Sequence, residues 1–104
     1  MQVLVHTDHN IEGSEGLTAH VKDVVEGSMG RFGERITRVE VHLGDETGHT
    51  TGEHARRCKM EVRLASHQPT VVTHHAVSVD EAIAGAADKA LGAVESLVGR
   101  LDHR

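Results

Sequence analysis

Ten histidines in 104 residues are the chain's largest supply of chemically active side chains. His6 and His9 flank Thr7-Asp8, His49 and His54 are separated by four residues, and His74 and His75 are adjacent. Imidazole can ligate a metal, move a proton or change charge near neutral pH. A zinc site needs three or four ligands at fixed geometry, usually with further groups that orient them. None of these spacings matches a recognised zinc motif, and Cys58 is the lone cysteine. The histidines are therefore read as scattered surface groups, and neither a metal nor a cofactor is expected. Titration is the better use for them. Several imidazoles gaining charge near pH 6 would reduce the net charge of −5 and so lessen repulsion of an anionic partner.

His6-Thr7-Asp8-His9 is the grouping that most invites an acid–base reading. It lacks a nucleophile, a glycine-rich phosphate loop or a second carboxylate, so no catalytic role is expected. The negative net charge argues against binding nucleic acid through bulk charge, although a local basic patch can still do so. No segment approaches the roughly 20 apolar residues that span a bilayer. The start, Met1-Gln2-Val3-Leu4-Val5-His6, has neither the cationic opening nor the apolar length of a signal peptide. With one cysteine in an apolar strand pattern, no internal disulfide can form, and a reducing cytoplasm is expected.

The elements that must position these groups follow from hydrophobic periodicity, which reads β-α-β-β-β-α. Val3 and Val5 alternate with Gln2, Leu4 and His6 in a first strand. Ser14 is a suitable N-cap for a helix whose stripe is Leu17, Val21, Val24, Val25, Ser28 and Phe32, with Gly33 as its stop. Phe32 is the bulkiest apolar residue and is expected to plug the base of the core, so Phe32→Ala should cost about 3–5 kcal/mol. Val39, Val41 and Leu43 alternate with Arg38, Glu40 and His42; Cys58, Met60, Val62 and Leu64 alternate with Lys59, Glu61 and Arg63. Arg38–Leu43 and Cys58–Leu64 are expected to pair antiparallel, with both helices on the face of Val39, Val41, Met60 and Val62.

Charge constrains the register of that hairpin. Placing Glu40 opposite Glu61 would also set Arg38 opposite Arg63, so a slip of two residues is expected, worth a few tenths of a kcal/mol per pair. The polar, glycine-rich stretch 44–56 reads as a mobile loop. After a Ser66–Pro69 turn, a weaker strand covers Thr70–Val77, in which the face of His74 is open. Ser78-Val79-Asp80-Glu81 is a capping box for a helix with Ile83, Ala87, Ala90, Val94, Leu97, Val98 and Leu101 along one side. The fold class is therefore α+β, one domain over 1–104, with a four-stranded mixed sheet and two helices on one face.

Scattered positions along nearly the whole chain resemble a known family. Met1-Gln2-Val3-Leu4-Val5, Arg31-Phe32, Ile36-Thr37-Arg38-Val39, and Ala82-Ile83 followed by Asp88-Lys89 are similar to the ribosome hibernation-promoting factors, the ribosome-associated inhibitors also labelled S30AE. The resemblance implies a double-stranded-RNA-binding-domain-like fold. It also implies a role on the small ribosomal subunit (30S, with its 16S rRNA), where the bound protein blocks translation in resting or stressed cells. Ending at Arg104, the chain is expected to lack the C-terminal dimerisation domain of long members. The resemblance also implies a basic run along the second half of the last helix, of which Lys89 remains while Gly92, Glu95, Ser96 and Val98 stand where relatives often have Lys or Arg.

The remaining cations Arg31, Arg35, Arg38, Lys59, Arg63 and Lys89 are the candidate RNA-contacting residues, set against the plainer reading of a solvated face balanced by Glu40 and Glu61. With one aromatic residue, Phe32, shape and phosphate would be read rather than stacked bases. Gly85, Gly92 and Gly99 recur every seven residues and are placed opposite the apolar stripe. Such a bare helix back is either a relaxed surface or a face for a homodimer or another protein. A protein-interaction module without ribosome binding is accordingly the alternative function.

Overall fold

A computed structural model of the chain describes residues 1–46 and 55–102. Along the chain lie β1 (Gln2–Thr7), α1 (Glu15–Met29), a 3-10 turn (Gly30–Phe32), β2 (Ile36–Asp45), β3 (Arg56–Leu64), β4 (Thr70–Ala76) and α2 (Val79–Asp102). The sheet order is β1-β2-β3-β4, with β1 parallel to β2 and the other pairs antiparallel. The architecture is the α+β arrangement that the periodicity predicts. Val21, Val25 and Met29 of α1 and Ile83, Ala87, Ala90 and Val94 of α2 join Val39, Val41, Met60 and Val62 in one buried cluster. Alanines on α2 let its axis approach the sheet closely, and the opposite sheet face stays open.

Both helix starts form as their sequences require. The Ser14 hydroxyl accepts from the Leu17 amide at 3.0 Å, and the Ser78 hydroxyl accepts from the Glu81 amide at 3.1 Å. The end of α1 differs from expectation. It stops at Met29, and the chain tightens into a 3-10 turn instead of reversing at a left-handed glycine. Gly33 has φ −56°, in the ordinary helical region. Met29 is fully buried and fills the place expected of Phe32, which packs half-buried at the rim of the core. The reason is positional: Met29 lies four residues after Val25, whereas Phe32 lies beyond the helix.

The β2–β3 register is the one the charges disfavour. Arg38 faces Arg63 and Glu40 faces Glu61, so the expected slip of two residues does not occur. The buried face aligns Val39 with Val62, Val41 with Met60 and Leu43 with Cys58. The ladder continues through Gly44–Arg57 and Asp45–Arg56, where Arg56 Nε lies 3.4 Å from Asp45 Oδ2. A slip would break that ion pair and leave ladder groups unpaired, a larger loss than a few tenths of a kcal/mol. Like charges are instead relieved within each strand, with Arg38 Nε 3.8 Å from Glu40 and Arg63 Nη2 3.4 Å from Glu61. An irregularity at Thr37, whose hydroxyl donates to the Arg63 carbonyl at 3.0 Å, lets Ile36 and Val39 both turn inward although they are three residues apart.

The expected loop 44–56 is therefore shorter than predicted, since Gly44, Asp45 and Arg56 belong to the strands and the Glu46 amide bonds to the Ala55 carbonyl at 2.8 Å. Residues 47–54, with His49 and His54, lie outside the described residues.

His74 resolves toward the helices. It pairs with Cys58, and its ring lies over Gly85, where a Cβ would collide with it. Gly85→Ala is expected to destabilise the wild-type chain, yet to stabilise the His74→Ala chain by about 1 kcal/mol through helix propensity. Urea melts of the double-mutant cycle measure this reversal. Equal effects in both backgrounds would show that the ring does not rest on the glycine.

Candidate functional site

The open sheet face gathers the polar side chains of all four strands. Gln2 and His6 come from β1, Arg38, Glu40 and His42 from β2, Lys59, Glu61 and Arg63 from β3, and Thr73 and His75 from β4, with Leu4 an apolar neighbour between the β1 pair. Imidazoles are the only rings on this face among the described residues, so it offers no Phe, Tyr or Trp for stacking bases. Toward its β1 edge the rings of His6 and His42 stack with centroids 4.7 Å apart and planes 20° apart. Glu40 reaches both: Oε1 lies 4.0 Å from His6 Nε2 and Oε2 lies 4.0 Å from His42 Nε2. Burial holds the His42 pKa below the usual imidazole value, reinforced by His6 and Lys59 and opposed by Glu40 and Glu61.

A second polar group closes one end of the face. Arg57 Nη1 donates to Glu46 Oε1 at 2.6 Å, and His75 Nε2 lies 3.5 Å from the same oxygen. The Arg57 hydrogen bond holds the Glu46 carboxyl below its ordinary range. Gly44 makes this packing fit, since a Cβ there would lie 2.9 Å from both the Arg57 guanidinium carbon and Asp8 Oδ2. Asp8 itself is bonded to the backbone, accepting from Asn10 N at 2.9 Å and from Asp45 N at 3.2 Å. The His6-Thr7-Asp8-His9 grouping thus divides, with His6 on the sheet face and Asp8 fastening the turn after β1.

The candidate cations occupy separate places. Arg38, Lys59 and Arg63 share the open face, the first and last beside Glu40 and Glu61. Arg31 and Arg35 lie at the far end of the helix pair, where Arg31 pairs with Glu95 and stacks over Phe32 at 4.7 Å. Arg35 Nη2 meets Asp102 Oδ1 at 2.9 Å. Lys89 crosses the sheet edge and donates to the Thr73 carbonyl at 2.9 Å, which blunts the edge strand β4.

The seven-residue glycines also separate. Gly92 and Gly99 have open space where a Cβ would stand, whereas the flank of Gly85 is filled by His74, so Gly85 does not lie on a bare helix back. The grouping that sequence reasoning missed is His6, Glu40 and His42. Glu40 and His42 are two apart on one strand face, which is legible, but their meeting with His6 depends on the β1–β2 register.

This fold and this arrangement of strands are shared with known proteins. The family model described as sigma 54 modulation protein / S30EA ribosomal protein matches residues 4–102. The chain belongs to this family. Membership makes it one of a ribosome-associated class of proteins. Among solved structures it is similar to the protein Y N-terminal domain of Thermus thermophilus, with TM-score 0.75 and 18% identity over 93% of this chain and 99% of that one. It is also similar to a ribosomal subunit interface protein from Coxiella burnetii, with TM-score 0.65 and 9% identity over the full length of both chains. At those identities the likeness is one of fold. No curated protein matches the sequence. No helix among the described residues of this S30EA family member is long and apolar enough to cross a membrane.

Proposed function

We propose that this protein binds the small ribosomal subunit in the cytoplasm, contacts 16S rRNA through phosphate, and restrains translation during stress or stationary phase without chemistry of its own. The observation that carries this reading is the family match across residues 4–102, supported by the shared fold of the two ribosome-related structures. Arg31, Arg35, Arg38, Lys59, Arg63 and Lys89 supply the phosphate contacts. Shape and backbone are read in preference to bases, because the described sheet face carries no Phe, Tyr or Trp.

The exposed ion pairs temper this surface without abolishing it. A pair such as Arg31–Glu95 contributes on the order of 1 kcal/mol or less in solvent, so a phosphate can replace the carboxylate. Glu95→Gln frees Arg31 and removes a repelling charge. It is expected to strengthen ribosome binding and to steepen the dependence of log affinity on log salt by about 1. Co-sedimentation with purified 30S and 70S particles across a salt series measures both. Failure of the wild-type protein to pellet even at low salt and pH 6, with elution as a stable dimer, would overturn the ribosomal reading. Function would then move to the helix surface around Gly92 and Gly99.

A further inference from the structure

We propose that His6, His42 and Glu40 form a binding site for a divalent transition metal of the Zn2+ type on the open sheet face. The parallel β1–β2 register sets His6 directly beside His42, and Glu40 stands two residues earlier on β2 with its side chain on the same face. One donor atom from each residue lies within 4.8 Å of the other two. Each Nε2 is 4.0 Å from a different carboxylate oxygen, too far for a hydrogen bond, so the three groups are gathered without bonding to one another.

Zinc bonds of about 2.0–2.2 Å place tetrahedral ligands roughly 3.4 Å apart. The donors, which lie within 4.8 Å of one another, therefore need to close by up to about 1.4 Å. The rings of His6 and His42 are stacked with planes 20° apart, so the His6 ring, half exposed at the sheet's edge strand, must turn out of the stack for both lone pairs to point at one ion. Two imidazoles and one carboxylate suit borderline cations such as Zn2+, Ni2+ and Cu2+ better than Ca2+ or Mg2+. A thiolate does not compete, because Cys58 is buried on the opposite face and burial pushes its thiol up to about 12. The solvent side of the site leaves coordination positions for water.

The neighbours set the strength of the site. Arg38 Nε sits 3.8 Å from Glu40 Oε1 and must yield that contact, which is weak at such a distance. Lys59, paired across from His42, opposes a second cation, while Glu61, paired across from Glu40, offsets it. Once bound, the ion would tie edge strand β1 to β2 and stabilise the fold by an amount that grows with the logarithm of free metal above its Kd.

The test is titration of the full chain with Zn2+ against a chromophoric chelator, comparing wild type with His6→Ala, Glu40→Gln and the control His67→Ala. The wild-type and His67→Ala proteins are expected to share one tightest site, which His6→Ala and Glu40→Gln each weaken tenfold or more. In the wild-type protein, imidazole 15N signals of His6 and His42 should shift together at one equivalent of Zn2+ and return with EDTA. Glu40→Gln preserves side-chain shape, so it decides the matter even where His6→Ala fails to fold. Unchanged affinity in Glu40→Gln, or first-equivalent shifts at histidines other than His6 and His42, would overturn the site.

Discussion

Replacing Met29 with alanine is expected to destabilise the domain by about 2–5 kcal/mol, more than the same truncation at Phe32. Met29 has no solvent exposure and is among the largest fully buried side chains, where α1 ends against the sheet. Its removal leaves a cavity bounded by elements that cannot all collapse inward. Phe32 packs against the core from the 3-10 turn and keeps one side toward solvent, where the Arg31 guanidinium covers its ring at 4.7 Å. Truncating it uncovers surface more than it opens a void. Domains of this size are stable by roughly 5–15 kcal/mol, so Met29→Ala approaches the threshold for folding. Urea melts of both variants provide the comparison. A larger loss for Phe32→Ala than for Met29→Ala would show that the ring, and not the thioether, closes the base of the core.

Replacing Arg31, Arg35, Arg38, Lys59, Arg63 and Lys89 together with alanine is expected to abolish co-sedimentation with ribosomes at physiological salt. Each phosphate contact contributes roughly 0.7–0.9 to the slope of log affinity against log salt, so losing several flattens the dependence as well as lowering the affinity. Two partial sets locate the contact surface. Arg38, Lys59 and Arg63 lie on the open sheet face, whereas Arg31 and Arg35 lie beside Glu95 and Asp102 at the helix ends. Arg63 requires separate care, since its Nε is buried without a hydrogen-bond partner among the described residues. Circular dichroism of the complete variant establishes that it is folded. Ribosome pelleting that persists with the full set replaced would show that these cations do not carry binding.

The face that remains open connects the two site proposals. Its charged groups are the polar half of the strand alternation, and hence neither site requires the buried core to change. The same face carries Glu40 and Glu61 among its cations, so the sheet is not a uniformly basic surface. Phosphate binding there must place RNA over Arg38, Lys59 and Arg63 while avoiding those carboxylates. A cation held by His6, His42 and Glu40 would neutralise one of them, but the metal site stands on its own geometry and is tested without ribosomes.

Much of this was written in local patterns. Period-two alternation in Arg38–Leu43 and Cys58–Leu64 determines which side chains are buried, because one sheet face must be covered by helices. Ser14 and Ser78 determine where the helices start, since their hydroxyls satisfy amides only a few residues away. Other features depend on groups that local sequence does not relate. The β2–β3 register was settled by the sum of core packing, ladder ends and the Asp45–Arg56 pair against a small cross-strand repulsion. The end of α1 was settled by which side chain reached the core first, Met29 ahead of Phe32. Gly85 gained its meaning from His74, a residue on another element. The meeting of His6 with Glu40 and His42 required the parallel register of strands some 35 residues apart in the chain, a long-range pairing that no local period encodes.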